Sequence, residues 1–356
     1  MEVGHTIFRT LAWSISILSA VSAFAQTSPA LRSPWDLHAV TVTDLAYSRS
    51  VPQPLPKDIT ANSYYSDPKH SVVDQARYDA YNAAEKPFRD TMQAAETAAD
   101  KFQATGSRAA ADYLLRILTQ DAQAAAMTGK MSSNQAYYVQ NWTLSALAIT
   151  WLKVRQANPG SREDRQAVAD WLKQVAGSVM GYFDRGRAKG SGDSQNNHYA
   201  WAGLSVMAAG VAADDRTLFD WGVAAYDDGV SRIQPDGTLP LEMARGRRAL
   251  HYHLFALAPL VTIAEFGAAN GLDLYKRNDG ALARLVDRSV SGLEDNRYFA
   301  EKSGVAQDTP AEGGVKGSGV TFLTPYQHRF PNPALTRLLQ TISPKPNLYL
   351  GGLPPP

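Results

Sequence analysis

Two short segments of the chain bring together side chains that can carry charge and move protons. The first runs from Gln195 to Trp201 and includes Asn196, Asn197 and His198 at the start of an apolar run. The second runs from Glu242 to His253 and contains three arginines, two histidines and a tyrosine. Because Asn and His are poor residues for a helix interior, the first segment indicates the rim of a polar binding cleft. The alternative is that Asn196 caps the helix while the aromatic residues pack.

The side chains of these segments suit one reaction class. Arg248 lies four residues and Arg245 seven residues before Tyr252, so helical spacing places both guanidinium groups beside the phenol. We expect them to lower the pKa of Tyr252. Asn197 and Arg245 can neutralise a carboxylate, while Tyr252 and His198 can transfer protons. This set predicts removal of the proton α to a carboxylate, and hence β-elimination on a polymer of uronic acids.

A third group occupies one face of a predicted helix. Gln135, Tyr138 and Trp142 follow an i, i+3, i+7 spacing, which places them side by side. Flat aromatic faces suit the C–H surface of a sugar ring, and an amide suits its hydroxyl groups. The three together favour sugar binding, whereas Trp142 taken alone is as well explained by packing in a core.

An irregular segment, residues 58–75, carries the adjacent tyrosines Tyr64 and Tyr65 with Lys69 and His70 close behind. A long loop with aromatic and cationic side chains is typical of a lid or a binding loop. A surface loop whose tyrosines pack on the core is an equally good interpretation of this composition.

From about residue 76 the apolar residues recur with a helical period, and the breaks carry Gly, Pro, Asn or Asp. The pattern predicts an all-α fold of antiparallel hairpins that curl into an α/α toroid, an incomplete (α/α)6 barrel. No strict repeat is visible, which argues against a solenoid. The predicted helices are 76–104, 107–128, 134–157, 163–187, 197–213, 216–234, 247–270, 279–293 and 333–342.

The beginning of the chain predicts export. Arg9 precedes an apolar stretch that ends in Ala23-Phe24-Ala25, a pattern typical of signal-peptide cleavage after Ala25. A membrane anchor is the weaker alternative, because the stretch is short and contains serines. We expect no later segment to be long and apolar enough to cross a membrane. We also expect a periplasmic monomer with an extended arm over residues 26–57 and one domain over residues 58–356.

Composition limits the partners. The net charge of +1 over 356 residues argues against nucleic-acid binding but allows an anionic ligand in a locally basic cleft. The chain has no cysteine, which excludes disulfides, thiolate catalysis and cysteine-bound metal sites.

Two motifs give the sequence a resemblance to a known family. NNHYAWAGLSVMAAG (196–210) and PLEMARGRRALHYH (240–253) resemble the alginate lyase family, polysaccharide lyase family five. The resemblance extends from about residue 60 to about residue 351. It implies an α/α toroid, cleavage of an anionic polysaccharide by β-elimination, and no metal or other cofactor.

The resemblance also implies roles for single residues. Asn197 and Arg245 would neutralise the C5 carboxylate. Tyr252 would be the catalytic acid and, for mannuronate, also the base, because the proton and the leaving oxygen lie on one face of the sugar. His198 would help to neutralise the carboxylate, or act as the base when the proton lies on the opposite face. The expected substrate-binding residues are Tyr64, Tyr65, Gln135, Tyr138, Trp142, Trp201, Arg248, His253 and Arg329.

Several positions depart from the family pattern. Tyr199-Ala200-Trp201 stands where alginate-specific members read Ser-Tyr-Trp, Tyr64 replaces a basic residue, and Leu254 replaces an Asn. The chemistry is retained while the substrate subsites differ. Polymannuronate, glucuronan and mixed polyuronates therefore all remain open as substrates.

Two other functions fit parts of the sequence. A glycoside hydrolase on a similar fold would need two carboxylates facing the cleft, for which Asp193, Asp236 and Glu242 are the candidates near the motifs. A non-catalytic polyanion-binding protein would use the arginines and aromatic residues but would leave the Tyr and His side chains idle.

Overall fold

The computed structural model describes residues 1–3, 29–309 and 316–355. Apart from its first three residues, the predicted signal segment lies outside the described residues. Within them the chain forms helices, short 3-10 turns and isolated bridges, with no β-strand. The helices are α1 Gln75–Thr105, α2 Arg108–Gln123, α3 Asn134–Val154, α4 Arg162–Ala188, α5 Asn197–Ala213, α6 Arg216–Ser231, α7 Pro240–Met243, α8 Ala249–Ala269, α9 Arg277–Glu294, α10 Arg297–Ser303, α11 Leu323–Arg329 and α12 Pro333–Ile342.

The main helices begin at the caps that the sequence supplies. The Ser133 side chain accepts a hydrogen bond from the Ala136 N–H at the start of α3, and the Asn196 side chain accepts one from the His198 N–H at the start of α5. The boundaries of α1, α3, α4, α5 and α6 agree closely with the predicted ones. The prediction for α9, 279–293, also agrees within two residues, although residues 278–280 adopt left-handed backbone angles and the regular helix starts after them. The prediction for α2, 107–128, extends five residues too far, because the helix ends at Gln123.

Three helices form the inner layer. Almost every residue of α3, α5 and α8 is buried, whereas α2, α4, α6 and α9 bury one face. α5 packs against α3, α4, α6 and α8. A helix that is apolar all round must be enclosed, so these patterns explain the two layers. The predicted all-α, toroid-like architecture is confirmed.

The inner helix α8 corrects one expectation. Residues Gly246–Ala269 are long and apolar enough to cross a membrane, so the prediction that no later segment has this composition is wrong. In this structure 78% of the window is buried inside the protein. That is typical of the core helix of a globular domain.

Both ends of the domain pack on the helices. Residues Leu31–Pro356 form one compact unit, and Trp35 and Leu55 of the predicted arm are each 2% exposed. The C-terminal tail contains a 3-10 turn at Leu348–Leu350. The buried Lys153 ammonium donates to the carbonyl oxygens of Gly351 and Leu353 and holds this tail in place.

Candidate active site

A cavity of about 1000 Å³ opens where the inner helices α3, α5 and α8 begin, and the loop 58–75 covers it. Backbone N–H groups at helix starts carry partial positive charge, so three inner helices together favour an anionic ligand here. Most of the predicted site residues line this cavity, namely Tyr64, Tyr65, Gln135, Tyr138, Trp142, His198, Arg245, Arg248 and Tyr252.

Tyr252 lies at the centre of a cluster of two arginines and a lid tyrosine. The Arg245 guanidinium carbon lies 3.5 Å from the centroid of the Tyr252 ring, and that of Arg248 lies 5.3 Å away. The Tyr65 hydroxyl is 2.7 Å from the Tyr252 hydroxyl. Arg248 in turn donates from Nη1 to the Tyr65 hydroxyl. The predicted neighbourhood of Arg245, Arg248 and Tyr252 is confirmed, although Arg245 precedes α8 and reaches the ring from a turn.

The expected direction of the Tyr252 pKa is wrong. Burial of the phenol raises the pKa of Tyr252, and the attraction of Arg245 and Arg248 for the phenolate does not offset this desolvation. Spacing along the sequence indicates the nearby cations, but it does not show how thoroughly the lid and the helices exclude water. Tyr252 is therefore protonated near neutral pH.

His198 is held as a neutral imidazole. Its ring stacks on Tyr138 with centroids 3.7 Å apart. Burial, followed by the charge of Arg245, lowers the pKa of His198 to about 3. Its Nδ1 atom is buried and has no partner among the described residues. A neutral ring with an unpaired nitrogen can accept a proton, whereas it cannot cancel the charge of a carboxylate.

Arg245 also fastens the lid. Its Nε donates to the Lys69 carbonyl at 3.0 Å and its Nη2 to the His70 carbonyl at 2.7 Å. Within the described part of the chain Nη1 has no hydrogen-bond partner. The guanidinium therefore bridges the covering loop and the cavity, with one nitrogen left for a ligand.

Asn197 is placed differently from the expectation. Its backbone N–H and its Nδ2 donate to the Glu242 carboxylate, with the nitrogens 2.7 to 3.0 Å from the oxygens. Both side chains are 1% exposed, and burial raises the pKa of Glu242. Asn197 is not among the residues that line the large cavity; it lines an adjacent pocket of about 270 Å³. The predicted donation from its amide to a substrate carboxylate is therefore absent from this arrangement.

Three predicted substrate-binding residues lie outside the cavity. Trp201 is fully buried beside Phe255. His253 is fully buried too, with one ring nitrogen accepting from the Leu239 N–H and the other bonded to the Ala249 carbonyl. Trp201 and His253 therefore pack in the core and do not contact substrate as expected, because the sides of α5 and α8 that carry them face away from the cavity.

Arg329 lies in a separate pocket of about 580 Å³, at the far end of α8. Its Nε and Nη2 atoms donate to both oxygens of Glu265, at 2.9 and 2.7 Å. The structure thus does not bring Arg329 to the cavity. The pairing across 64 residues was not apparent from the sequence.

The cavity also contains residues that were not predicted from the sequence to bind substrate. Asn196, interpreted from the sequence as a helix cap, lines it, and so does His251, whose ring stacks on Phe255. Tyr349 of the C-terminal tail stacks on Trp142 with centroids 5.1 Å apart. The motif HYH indicated His251, but nothing in a Pro-rich tail indicates that Tyr349 reaches the site.

Of the three carboxylates considered for a hydrolase, only Asp193 faces the cavity. Asp193 lines the cavity, but Asp236 is bonded to Tyr298 and Lys302 elsewhere, and Glu242 is buried against Asn197. Glu85 also lines the cavity and is paired with Arg89. Among residues 1–3, 29–309 and 316–355, no three His, Asp or Glu side chains group as ligands of a metal ion.

Comparison with known proteins gives consistent matches over most of the chain. The family model "Alginate lyase" matches residues 58–299. A polysaccharide lyase of Stenotrophomonas maltophilia is 39% identical over 260 residues, which cover 72% of this chain and 76% of that protein. An alginate lyase of Pseudomonas syringae pv. syringae is 30% identical over 313 residues, which cover 85% of this chain and 82% of the relative.

Solved structures give the same fold. Alginate lyase A1-III from Sphingomonas species A1 superposes with a TM-score of 0.72 at 24% identity, over 85% of this chain and 84% of that one. A variant of A1-III in complex with a tetrasaccharide superposes with a TM-score of 0.75 at 23% identity, over 90% of this chain and 88% of that chain.

Proposed function

Because the chain belongs to the alginate lyase family and is a polysaccharide lyase, we propose that it cleaves poly-β-D-mannuronate, free or within alginate. The cleavage is a β-elimination that leaves a 4,5-unsaturated uronate end. The observation that carries this proposal is the cluster of Tyr252 with Arg245, Arg248 and Tyr65. Both guanidinium groups lie close to the Tyr252 ring, at 3.5 and 5.3 Å from its centroid, and the covering loop contacts its hydroxyl.

The first requirement of the reaction is an acidic C5 proton. The uronate carboxylate lies beside the free Nη1 of Arg245 and the starts of α3, α5 and α8, and these groups spread its negative charge. Charge-assisted hydrogen bonds stabilise the enolate that forms when C5 loses its proton. The aromatic faces of Tyr138, Trp142 and Tyr349 suit the sugar rings on either side.

The second requirement is a proton acceptor and a proton donor. In mannuronate the C5 proton and the C4 oxygen lie on one face, so Tyr252 takes both roles. Its phenolate removes the C5 proton, the C4–O4 bond breaks as the C4=C5 double bond forms, and the phenol returns the proton to O4. Arg245 and Arg248 stabilise the short-lived phenolate of Tyr252. Burial keeps the fraction of Tyr252 that is ionised small before substrate reacts.

His198 can act on uronates of the opposite configuration at C5. A neutral imidazole with an unpaired nitrogen suits a base when the proton lies on the opposite face of the sugar. On mannuronate its role is to position the carboxylate beside Arg245. We also propose that the protein acts in the periplasm as a monomer: the first 25 residues have the composition of a signal segment, and one chain supplies every part of the site.

A panel of polyuronates tests the proposed activity. Polymannuronate, polyguluronate, glucuronan and hyaluronan are each incubated with the protein, and the ultraviolet absorbance of the unsaturated uronate is followed. We expect the fastest rise on polymannuronate. New reducing ends without this chromophore would show hydrolysis instead, and no product from any polymer would refute a lyase.

A further inference from the structure

The covering loop narrows into a hairpin, residues 64–74, whose tip is residues 67–71. The Ser66 N–H donates to the Val72 carbonyl at 3.0 Å and closes the hairpin behind the tip. The tip carries the two carbonyl groups that accept hydrogen bonds from the Arg245 guanidinium. What holds these two carbonyls in place therefore bears on the position of Arg245.

Both carbonyls belong to peptide groups that are fixed from behind by one residue. In a planar trans peptide group the C=O and the N–H point in opposite directions. The N–H opposite the Lys69 carbonyl is that of His70, and it donates to the Asp67 carbonyl at 3.0 Å. The N–H opposite the His70 carbonyl is that of Ser71, and it donates to Oδ1 of Asp67 at 2.8 Å. Each peptide group thus has Asp67 on one side and Arg245 on the other.

The Asp67 carboxylate makes three further contacts within the tip. Oδ2 accepts from the Lys69 N–H at 3.1 Å and the Ser71 hydroxyl at 2.9 Å, and Oδ1 accepts from the Val72 N–H at 2.7 Å. Desolvation raises the pKa of Asp67, but these hydrogen bonds outweigh it and lower the pKa, so the carboxylate is charged at neutral pH. A charged acceptor binds N–H groups more strongly than a neutral one. His70 adopts a left-handed φ of 50°, a conformation that a residue other than glycine keeps where its surroundings fix it.

The direction of the Arg245 guanidinium depends on the same two peptide groups. Within the described part of the chain its hydrogen bonds go to the two loop carbonyls alone, through Nε and Nη2. Its contact with the Tyr252 ring assigns no direction to the individual nitrogens, whereas hydrogen bonds do. The two carbonyls therefore determine where the third nitrogen, Nη1, points.

We propose, on the basis of the lyase function above, that Asp67 is a positioning residue for Arg245. It fixes the two loop carbonyls from behind and thereby directs Nη1 toward the uronate carboxylate. Asp67 does not itself line the cavity, so it acts through Arg245 and not by touching substrate. An anion outside the site thus sets the geometry of a cation inside it.

Two substitutions at Asp67 test this role. Asp67→Ala removes every side-chain contact in the tip, and we expect kcat/KM on polymannuronate to fall by at least about tenfold, because a misplaced Arg245 stabilises the enolate less well. Asp67→Asn keeps Oδ1 as an acceptor for the Ser71 and Val72 N–H groups, so its loss should be about threefold or less. The melting temperature should change little in both, because most of the tip is exposed.

A matched control is available at the start of α4. The Asp164 carboxylate accepts from the Ser161 N–H and from the Ser161 hydroxyl, and it does not line the cavity. Asp164→Ala therefore removes similar local contacts from a carboxylate elsewhere on the molecule. It should leave kcat/KM on polymannuronate unaltered.

A double-mutant cycle with Arg245→Lys distinguishes positioning from a general effect on the loop. A lysine ammonium cannot reproduce the planar fork of a guanidinium that binds two carbonyls and a carboxylate together. If Asp67 acts through Arg245, Asp67→Ala should cost about threefold or less in the Arg245→Lys background. Where Arg245→Lys is too slow for kinetics, the same cycle is measured as affinity for a mannuronate tetrasaccharide.

The possible errors give different results. An active wild type whose kcat/KM is unchanged in Asp67→Ala would overturn the positioning role. A loss in Asp67→Ala that is just as large in the Arg245→Lys background would also overturn it, because the effect would then bypass Arg245. A wild type that is inactive on every polyuronate would refute the proposed function instead.

Discussion

The Tyr65 hydroxyl lies 2.7 Å from the Tyr252 hydroxyl, so the loop that covers the cavity directly contacts the proposed catalytic residue. Arg248 donates to the same Tyr65 hydroxyl, and Arg245 donates to the carbonyls of Lys69 and His70 in that loop. The contacts that hold this loop over the cavity therefore also hold the side chains of the catalytic cluster together. Water is excluded from Tyr252 by the same contacts that order the cluster.

Tyr65→Phe removes one hydroxyl from this connection and keeps the ring. We expect kcat on polymannuronate to fall about tenfold, since a hydrogen bond to a charged or reacting group contributes roughly 1.5 kcal/mol or more. The measurement is steady-state formation of unsaturated product.

Tyr78→Phe is the control for this change. Tyr78 lines the same cavity and packs edge-on against Tyr64, but its hydroxyl is bonded to no described residue. Its kcat should stay close to that of the wild type, because the hydroxyl that is lost makes no hydrogen bond to Tyr252 or Arg248. Equal losses in the two variants would contradict a specific role for the Tyr65 hydroxyl.

The pH dependence of kcat/KM reports the small fraction of Tyr252 that is ionised to the phenolate. Because burial raises the pKa of Tyr252, the phenolate fraction of the free enzyme increases throughout the accessible alkaline range. On polymannuronate we expect kcat/KM to rise with pH above about 8, with no separate step near the ordinary histidine value of about 6.5. His198 causes no such step, because its pKa is lowered to about 3. A profile that is level from neutral to alkaline pH would assign the base role to His198.

Arg329→Ala tests whether this arginine acts in catalysis. Its guanidinium is paired with Glu265 in a separate pocket, so KM and kcat should remain at wild-type values. The loss of the pair leaves a carboxylate that is 11% exposed without its cation, although the Tyr275 hydroxyl still donates to it. Because the guanidinium is itself 39% exposed, we expect a loss of only about 1–2 kcal/mol of stability.

Lys276→Ala is the matched control for the Arg329 variant. It removes an exposed cation of the same pocket, paired with the exposed Asp273, and should change neither activity nor melting temperature. A rise in KM that is confined to Arg329→Ala would restore the substrate-binding role implied by the family resemblance.

Asp121 connects stability to pH outside the active site. One carboxylate oxygen accepts from the Leu55 N–H, the other is buried without a described partner, and burial raises the pKa of Asp121 to about 7. A raised folded-state pKa means that stability is greatest below the unfolded value of about 3.9 and is lost as the pH rises through about 7.

Asp121→Asn should therefore raise the melting temperature at pH 8 by roughly 2–5 °C, with a smaller gain at pH 5. Thermal unfolding at the two pH values measures the difference. Asp112→Asn makes the same change at a partly exposed carboxylate on the same helix and is the control. An equal gain at both pH values would contradict the titration of Asp121.

The sequence predicted the features that depend on local pattern. Helical period and capping residues located α1, α3, α4, α5 and α6, and the spacing of Gln135, Tyr138 and Trp142 correctly placed them on one cavity-facing stripe. Arg245 and Tyr252 were paired correctly for the same reason. Each of these inferences uses neighbours within about two helical turns, where backbone geometry determines which side chains meet.

Contacts between distant segments were not predictable in this way. The Glu242 carboxylate accepts from the amide of Asn197, 45 residues away along the chain. Tyr349 reaches the cavity from a tail that Lys153 and Ser145 hold by hydrogen bonds to its carbonyl groups. The predicted direction of the Tyr252 pKa was wrong for a related reason, since desolvation depends on everything that packs around the phenol. Sequence spacing identifies charged neighbours but not the water that folding removes.

The central claim is that the Tyr252 hydroxyl group performs the proton transfers of a β-elimination. The most direct measurement compares wild type and Tyr252→Phe on polymannuronate by ultraviolet absorbance of the unsaturated product. Binding of the polymer is measured in parallel to establish that the variant is folded. We expect the rate to fall by at least about a hundredfold, as for loss of a general acid or base, with binding retained. A variant that binds the polymer and still forms unsaturated product at a wild-type rate would contradict the account.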